Sequence, residues 1–175
     1  MTYLLALDQG TSSSRAIVFD QQGQIVSSAQ QEFPQIYPQS GWVEHDPFAI
    51  WDSQLQTAQQ ALTNAQLPAS KISAIGITNQ RETTILWDKR TGQPVHNAIV
   101  WQDRRSEPLC QRLREAGHEQ MLLDKTGLRL DAYFSATKIA WLFEQSPELY
   151  DLAKQGHLAF GTVDTWLIWQ LSNGR

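Results

Sequence analysis

Apolar positions open the chain in two short continuous runs, Leu4 to Leu7 and Ala16 to Phe19, with the polar stretch Asp8 to Ser14 between them. Continuous rather than alternating apolar character predicts strands covered on both faces. The short connection predicts an antiparallel hairpin. A third strand is predicted over Gln24 to Phe33, after the turn at Gln21-Gln22-Gly23, which makes a three-stranded meander. Pro34, Pro38, Gly41 and Pro47 mark a loop from Pro34 to Asp46.

The period then changes from strand to helix. Phe48, Trp51, Leu55, Ala58 and Leu62 recur at three- and four-residue spacing and predict one apolar helical face. Asp46 is the expected N-cap and Pro47 the first helical residue. The β-branched run Ile72 to Thr78 predicts a buried strand reached by a crossover. Thr83 to Asp88 and Val95 to Trp101 predict a second strand pair, joined by Lys89-Arg90-Thr91-Gly92. The remainder reads as helical. Helices are predicted over Glu107 to Ala116, after a Ser135 cap with Ile139, Ala140, Leu142 and Phe143, from Ser146-Pro147, and over Thr162 to Leu171, stopped by Asn173-Gly174.

Composition narrows the function classes. At 175 residues the chain can build a real core, and its seven tryptophans argue for a packed protein. A net charge of −4 without a basic run argues against generic nucleic-acid binding. The lone Cys110 excludes an internal disulfide and fits a reducing compartment. No apolar stretch reaches membrane-span length, and Met1 leads straight into a strand. The expectation is a cytoplasmic protein without a signal peptide. The chain stops at Arg175, just past a helix stop, which fits either a natural end or the N-terminal piece of a longer protein.

The candidate chemistry sits first in the opening turn. Gly10 lets the backbone bend, and Thr11, Ser12 and Ser13 offer N–H groups and hydroxyls suited to a phosphate. Asp8, at the end of the first strand, could hold a magnesium ion through water. This is not a G-x-x-x-x-G-K-[ST] loop, and a strand rather than a helix follows it, so the donors must come from the turn itself. The same composition also makes an ordinary polar hairpin. Arg81 and Glu82 follow the end of a predicted sheet strand, where α/β folds place ligands. Glu82 can accept from two adjacent hydroxyls and Arg81 can donate in a fixed fork, yet the pair could also be a surface ion pair. His45, His96, His118 and His157 have no metal-ligand spacing.

Asp8 to Arg15 resembles the first phosphate hairpin of the FGGY carbohydrate kinases, which share their fold with actin, hexokinase and the heat-shock chaperone ATPases. Gly41 to Pro47, Gly76 to Thr84, Asn97 to Gln102 and Phe160 to Leu167 extend the resemblance, in order, along the whole chain and towards the members that phosphorylate glycerol. The resemblance implies an α/β, ribonuclease H-like domain of the actin/hexokinase ATPase type over residues 1–175. Its mixed five-stranded sheet would place the three antiparallel strands first and carry helices on both faces. A C-terminal domain would lie outside this chain.

The implied activity is transfer of the γ-phosphoryl group of MgATP to glycerol. Another polyol or sugar kinase of the family, or a non-catalytic ligand-binding module, stays open. By resemblance Thr11, Ser12, Ser13 and Arg15 contact the ATP phosphates, Asp8 lies near Mg2+, Arg81, Glu82 and Tyr133 contact glycerol, and Trp101 walls the polyol pocket. The resemblance also implies that the catalytic base lies in later sequence, and nothing matches Asp103 or Asp131 to that role. A 175-residue segment alone is expected to be inactive, and a homo-oligomer is compatible with the resemblance.

Overall fold

The computed structural model describes residues 2–174; Met1 and Arg175, the ends of the expected domain, lie outside the described residues. In chain order the elements begin with β1 (Tyr3–Gln9), β2 (Ser13–Phe19), β3 (Ile25–Glu32), β4 (Glu44–His45), α1 (Pro47–Asn64), a 3-10 turn (Ala69–Lys71) and β5 (Ile72–Thr78). They continue with β6 (Ile85–Asp88), β7 (Gln93–Pro94), β8 (Ala98–Ile99), α2 (Glu107–Glu115), α3 (Glu119–Thr126), α4 (Ser135–Gln145), α5 (Pro147–Lys154), β9 (Leu158–Gly161) and α6 (Val163–Leu171). The chain divides into two compact units. Among the described residues, one holds 2–35, 45–80 and 162–174; the other holds 36–44 and 81–161.

The first unit is built on a sheet of order β3-β2-β1-β5. β1 and β2 pair antiparallel, as do β2 and β3, while β5 returns parallel to β1 with Leu5 opposite Ile75. The meander and crossover predicted from the pattern are therefore present. The five-stranded sheet is not: among the described residues this sheet has four strands. The next strand, β6, belongs to a different sheet in the other unit, after a turn in which Glu82 takes a φ of 64°.

Leu5, Leu7, Ala16, Val18 and Ala61 form the core of this unit, with Leu62, Ile72 and Ile77 packed on its margin. On the opposite sheet face Leu4 is 48% exposed, so β1 is not the doubly covered strand that its apolar run predicted. β5 is likewise largely exposed rather than buried. Helices on both faces of the sheet thus do not describe this unit: α1 covers one face, packing on β1, β2 and β3.

Asp46 caps α1 as predicted, its carboxylate accepting from the Phe48 N–H at 2.8 Å. The buried face of α1 is more polar than the predicted stripe. Ile50, Ser53, Gln54, Thr57 and Ala61 are buried, whereas Phe48, Trp51, Leu55, Ala58 and Leu62 are only partly buried, Ala58 and Leu62 packing on the core margin. The polar residues enter because β2 gives them partners. Ser53 bonds the Ser14 hydroxyl at 2.7 Å, and Gln54 Nε2 donates to the Arg15 carbonyl at 3.0 Å. A buried polar group with a partner costs little.

The second unit centres on β6, which pairs antiparallel with both β7 and β9. The predicted second hairpin is partly kept. Trp87 faces Pro94 and Thr84 bridges Ile99, with the ladder interrupted between them. β9 and α3 were not predicted. Leu86, Ile99, Leu142 and Leu149 form the core here. Arg105 is buried between Asp103 and Glu44 at 2.8 Å each and stacks on Trp42, its guanidinium 3.9 Å from the ring centre. Both carboxylates answer the buried cation, which makes this a structural ion cluster.

Candidate functional site

In the first unit the turn between β1 and β2 gathers every predicted phosphate-side residue. The Gly10 N–H donates to the Ser13 carbonyl at 3.0 Å and closes the turn. A Cβ at Gly10 would lie 3.0 Å from that same oxygen, so the position favours glycine through close approach. The turn carbonyls are tied into the unit. The Gly10 carbonyl accepts from Gln9 and Gln80 Nε2, both at 3.2 Å. The Thr11 carbonyl accepts from Gln35 Nε2 at 3.1 Å, and the Ser12 carbonyl from the Phe33 N–H at 3.4 Å.

In a planar trans peptide the C=O and the following N–H point opposite ways. Fixing the Thr11 and Ser12 carbonyls on one side therefore turns the Ser12 and Ser13 N–H groups to the other. That is a cradle of donors suited to an anion.

Asp8 and Arg15 stand directly opposite each other across the antiparallel ladder, on the sheet face away from Leu7. Gln30 Nε2 holds the Ser13 hydroxyl at 2.9 Å. For a magnesium ion, the described residues contain no group of three or more His, Cys, Asp or Glu side chains placed to bind it. A single half-buried carboxylate, Asp8, fits a largely hydrated ion carried by phosphates.

Sequence reasoning missed the anchors. Gln35 is itself held by His45, whose Nε2 lies 2.7 Å from Gln35 Oε1. Burial lowers the pKa of His45 to about 4, so the ring is neutral near pH 7. Glutamines carry no motif spacing, and only the fold brings Gln35 and Gln80 to the turn.

In the second unit Arg81, Glu82, Trp101 and Tyr133 are contributed by the turn after β5, the turn after β8 and the approach to α4. Glu82 Oε2 accepts from the Ser135 N–H at 3.0 Å and its hydroxyl at 2.8 Å. Ser135 is thus the first helical residue of α4 with Phe134 at the N-cap position, not the cap expected from the sequence. The carboxylate of Glu82 takes that place at the helix N-terminus, which favours a negative charge. No hydrogen bond from the described residues reaches Glu82 Oε1, which leaves it to accept from a ligand hydroxyl.

The rings of Trp101 and Tyr133 meet edge to face with centroids 6.1 Å apart. Thr83 Oγ1 accepts from the Trp101 N–H at 3.3 Å. Arg81 is exposed beside Glu82. Carboxylate oxygen, phenol, indole and guanidinium together supply acceptors, donors and an apolar wall, which is what a short polyol requires. A largely apolar hollow of about 750 Å³, lined by Leu113, Leu122, Phe134 and Ile139, also borders Glu82, but neither Arg81, Trp101 nor Tyr133 lines it.

Asp103 and Asp131 are both occupied. Asp103 accepts from the Val43 N–H, the Arg105 N–H, Arg105 Nε and Arg105 Nη2 at 2.7–3.0 Å. Asp131 accepts from Arg104 Nη1 and the Tyr133 N–H, both at 2.7 Å. Burial pushes the Asp131 pKa up, but those two bonds outweigh it and the net shift is downward. Neither carboxylate is placed to act as a base. Cys110 is buried, which raises its pKa and makes it a structural thiol.

An α/β unit that opens with an antiparallel meander and carries a donor-rich first turn defines the class as an actin/hexokinase-like ATPase fold. The chain belongs to the FGGY family of carbohydrate kinases, and residues 3–174 match its N-terminal domain. Among curated relatives, the glycerol kinase of Paracidovorax citrulli is 67% identical over 175 residues, covering 100% of this chain and 35% of that protein. The glycerol kinase of Acidovorax ebreus is 66% identical over 174 residues, covering 99% of this chain and 35% of that protein. Among solved structures, Plasmodium falciparum glycerol kinase with ADP superposes with a TM-score of 0.92 at 36% identity, covering 100% of this chain and 35% of that chain. The chain therefore spans about a third of the length of the relatives it matches.

Proposed function

We propose that this chain is the N-terminal part of an ATP-dependent kinase that phosphorylates glycerol to sn-glycerol 3-phosphate. The observation that carries the reading is the grouping of Glu82, Tyr133 and Trp101 beside Arg81, in a chain 67% identical throughout to a protein named glycerol kinase. Glu82 Oε1 accepts from the substrate hydroxyls and Arg81 donates to one of them. Tyr133 adds a hydroxyl on a rigid ring, and Trp101 covers the C–H face of the three-carbon chain. A substrate lacking one hydroxyl leaves buried polar groups unpaired and is rejected strongly.

Thr11, Ser12 and Ser13 hold the phosphates of ATP through N–H groups and hydroxyls, and Arg15 adds positive charge from the same sheet face. Asp8 accepts from the water shell of Mg2+, which neutralises phosphate charge when bound. The group that takes the proton of the attacking hydroxyl lies in sequence outside this chain. We further propose that a fifth sheet strand and a cover for the second sheet face also lie there.

The test is a coupled assay on the intact protein that contains this chain, with ATP and a panel of polyols and sugars. Glycerol is expected to be the preferred acceptor, with glycerol 3-phosphate formed in proportion to ADP. Preference for a pentose or another sugar overturns the substrate, and no phosphorylated product overturns the kinase reading.

A further inference from the structure

Lys138 is the one lysine fully buried among the described residues. It lies one turn into α4 and makes no ion pair within 4 Å among the described residues. Instead its ammonium donates to the Glu82 carbonyl at 2.7 Å and to the Tyr133 carbonyl at 2.6 Å. These are the backbones of two residues assigned above to the polyol. The charged groups acting on it are the carboxylates of Glu82, Asp103 and Asp131, opposed by Arg104. Burial lowers its pKa to about 8, which still leaves it charged near pH 7.

Glu82 needs such a hold. Its φ of 64° lies in the left-handed region, where a side chain with a Cβ is strained and persists only if its surroundings fix it. Three contacts do so. Ser135 fixes the carboxylate, the Thr84 hydroxyl donates to the Glu82 carbonyl at 3.2 Å, and Lys138 ties that same carbonyl to Tyr133. Only the last joins the two substrate residues. With no exposed surface, Lys138 cannot itself touch a substrate.

We propose that Lys138 is a positioning residue of the polyol site, its ammonium setting the spacing of Glu82 and Tyr133 by bridging their carbonyls. This rests on the polyol-kinase reading above. Without the ammonium, the strained Glu82 backbone is free to relax and its carboxylate leaves the register that pairs with adjacent hydroxyls. The consequence falls on polyol binding and spares the nucleotide.

The experiment is steady-state kinetics on the intact protein with Lys138→Met and, should that variant not fold, Lys138→Gln, which retains an amide donor in a shorter chain. The folded fraction is checked by circular dichroism. The expected result is a glycerol KM raised at least 10-fold, with the KM for ATP within 2-fold of wild type. Lys138→Arg, which restores a cationic donor fork, should recover most of the glycerol KM. A purely structural role only lowers the active fraction, and so lowers apparent kcat with both KM values unchanged. That outcome in a folded variant overturns the inference while leaving the kinase reading intact. A wild-type intact protein that phosphorylates no polyol overturns both.

Discussion

Glu82 concentrates the account at the scale of single residues. One carboxylate oxygen caps α4 through Ser135, and the other is the one proposed to meet the polyol. Replacing it by glutamine keeps the shape and removes the charge. In the intact protein Glu82→Gln should lower kcat/KM for glycerol about 100-fold, the ~3 kcal/mol of two charge-assisted hydrogen bonds, with little change in melting temperature. Gln35 is the counterpart on the phosphate side, since its amide holds the Thr11 carbonyl. Gln35→Leu should raise the KM for ATP about 5- to 10-fold, of order 1 kcal/mol, and leave the KM for glycerol alone. Initial rates over a matrix of ATP and glycerol concentrations check both. The residues proposed to face a ligand stand in local motifs, which is why the sequence singles them out. Gln35, Gln80 and Lys138 were not legible, because each acts on a partner 24, 70 or 56 positions away.

At the scale of elements, local signals fixed α1 and the opening meander well. Asp46 and Pro47 mark the helix start, and Asn173 and Gly174 both take the positive φ expected past the end of α6. The failures share one cause: an apolar run says that a segment is covered, but not by what. Leu4 and Ile75 sit in runs that read as buried, yet they are 48% and 47% exposed. Ser53 and Gln54 lie outside the predicted apolar stripe, yet they are buried because Ser14 and the Arg15 carbonyl meet them. β9 was hidden because its partner β6 lies some 70 positions earlier, a pairing that no local pattern encodes.

The segment joining β3 to α1 also carries a pH dependence. Burial lowers the His45 pKa to about 4 from 6.5, so between those values the unfolded chain binds the extra proton. Stability is then full above about pH 6.5 and falls as pH drops towards 4, by of order 3 kcal/mol in total. Urea midpoints measured from pH 7 to pH 4 should show that decline, and His45→Asn should flatten it. An equal slope in the variant contradicts the assignment.

For the molecule as a whole, two compact units each carry one half of the proposed chemistry: donors for phosphates in one, partners for a polyol in the other. The chain spans 35% of the length of its glycerol kinase relatives, so the 175 residues alone are expected to show little or no kinase activity. Exposed apolar side chains on the sheet, Leu4, Ile25, Val26 and Ile75 among them, should make the isolated chain self-associate, which light scattering against concentration would register. The family was legible from motifs spread along the chain, and the α/β fold class followed from that resemblance. The division into two units was not, since it depends on the turn at Arg81-Glu82 and on the return of β9 to β6. The most direct test of the central claim is the rate of ADP and glycerol 3-phosphate formation by the intact protein with ATP and glycerol, set beside Glu82→Gln. Stoichiometric product from wild type, falling about 100-fold in kcat/KM in the variant, is the result predicted. No product from wild type, or an unchanged kcat/KM in a folded Glu82→Gln protein, would contradict it.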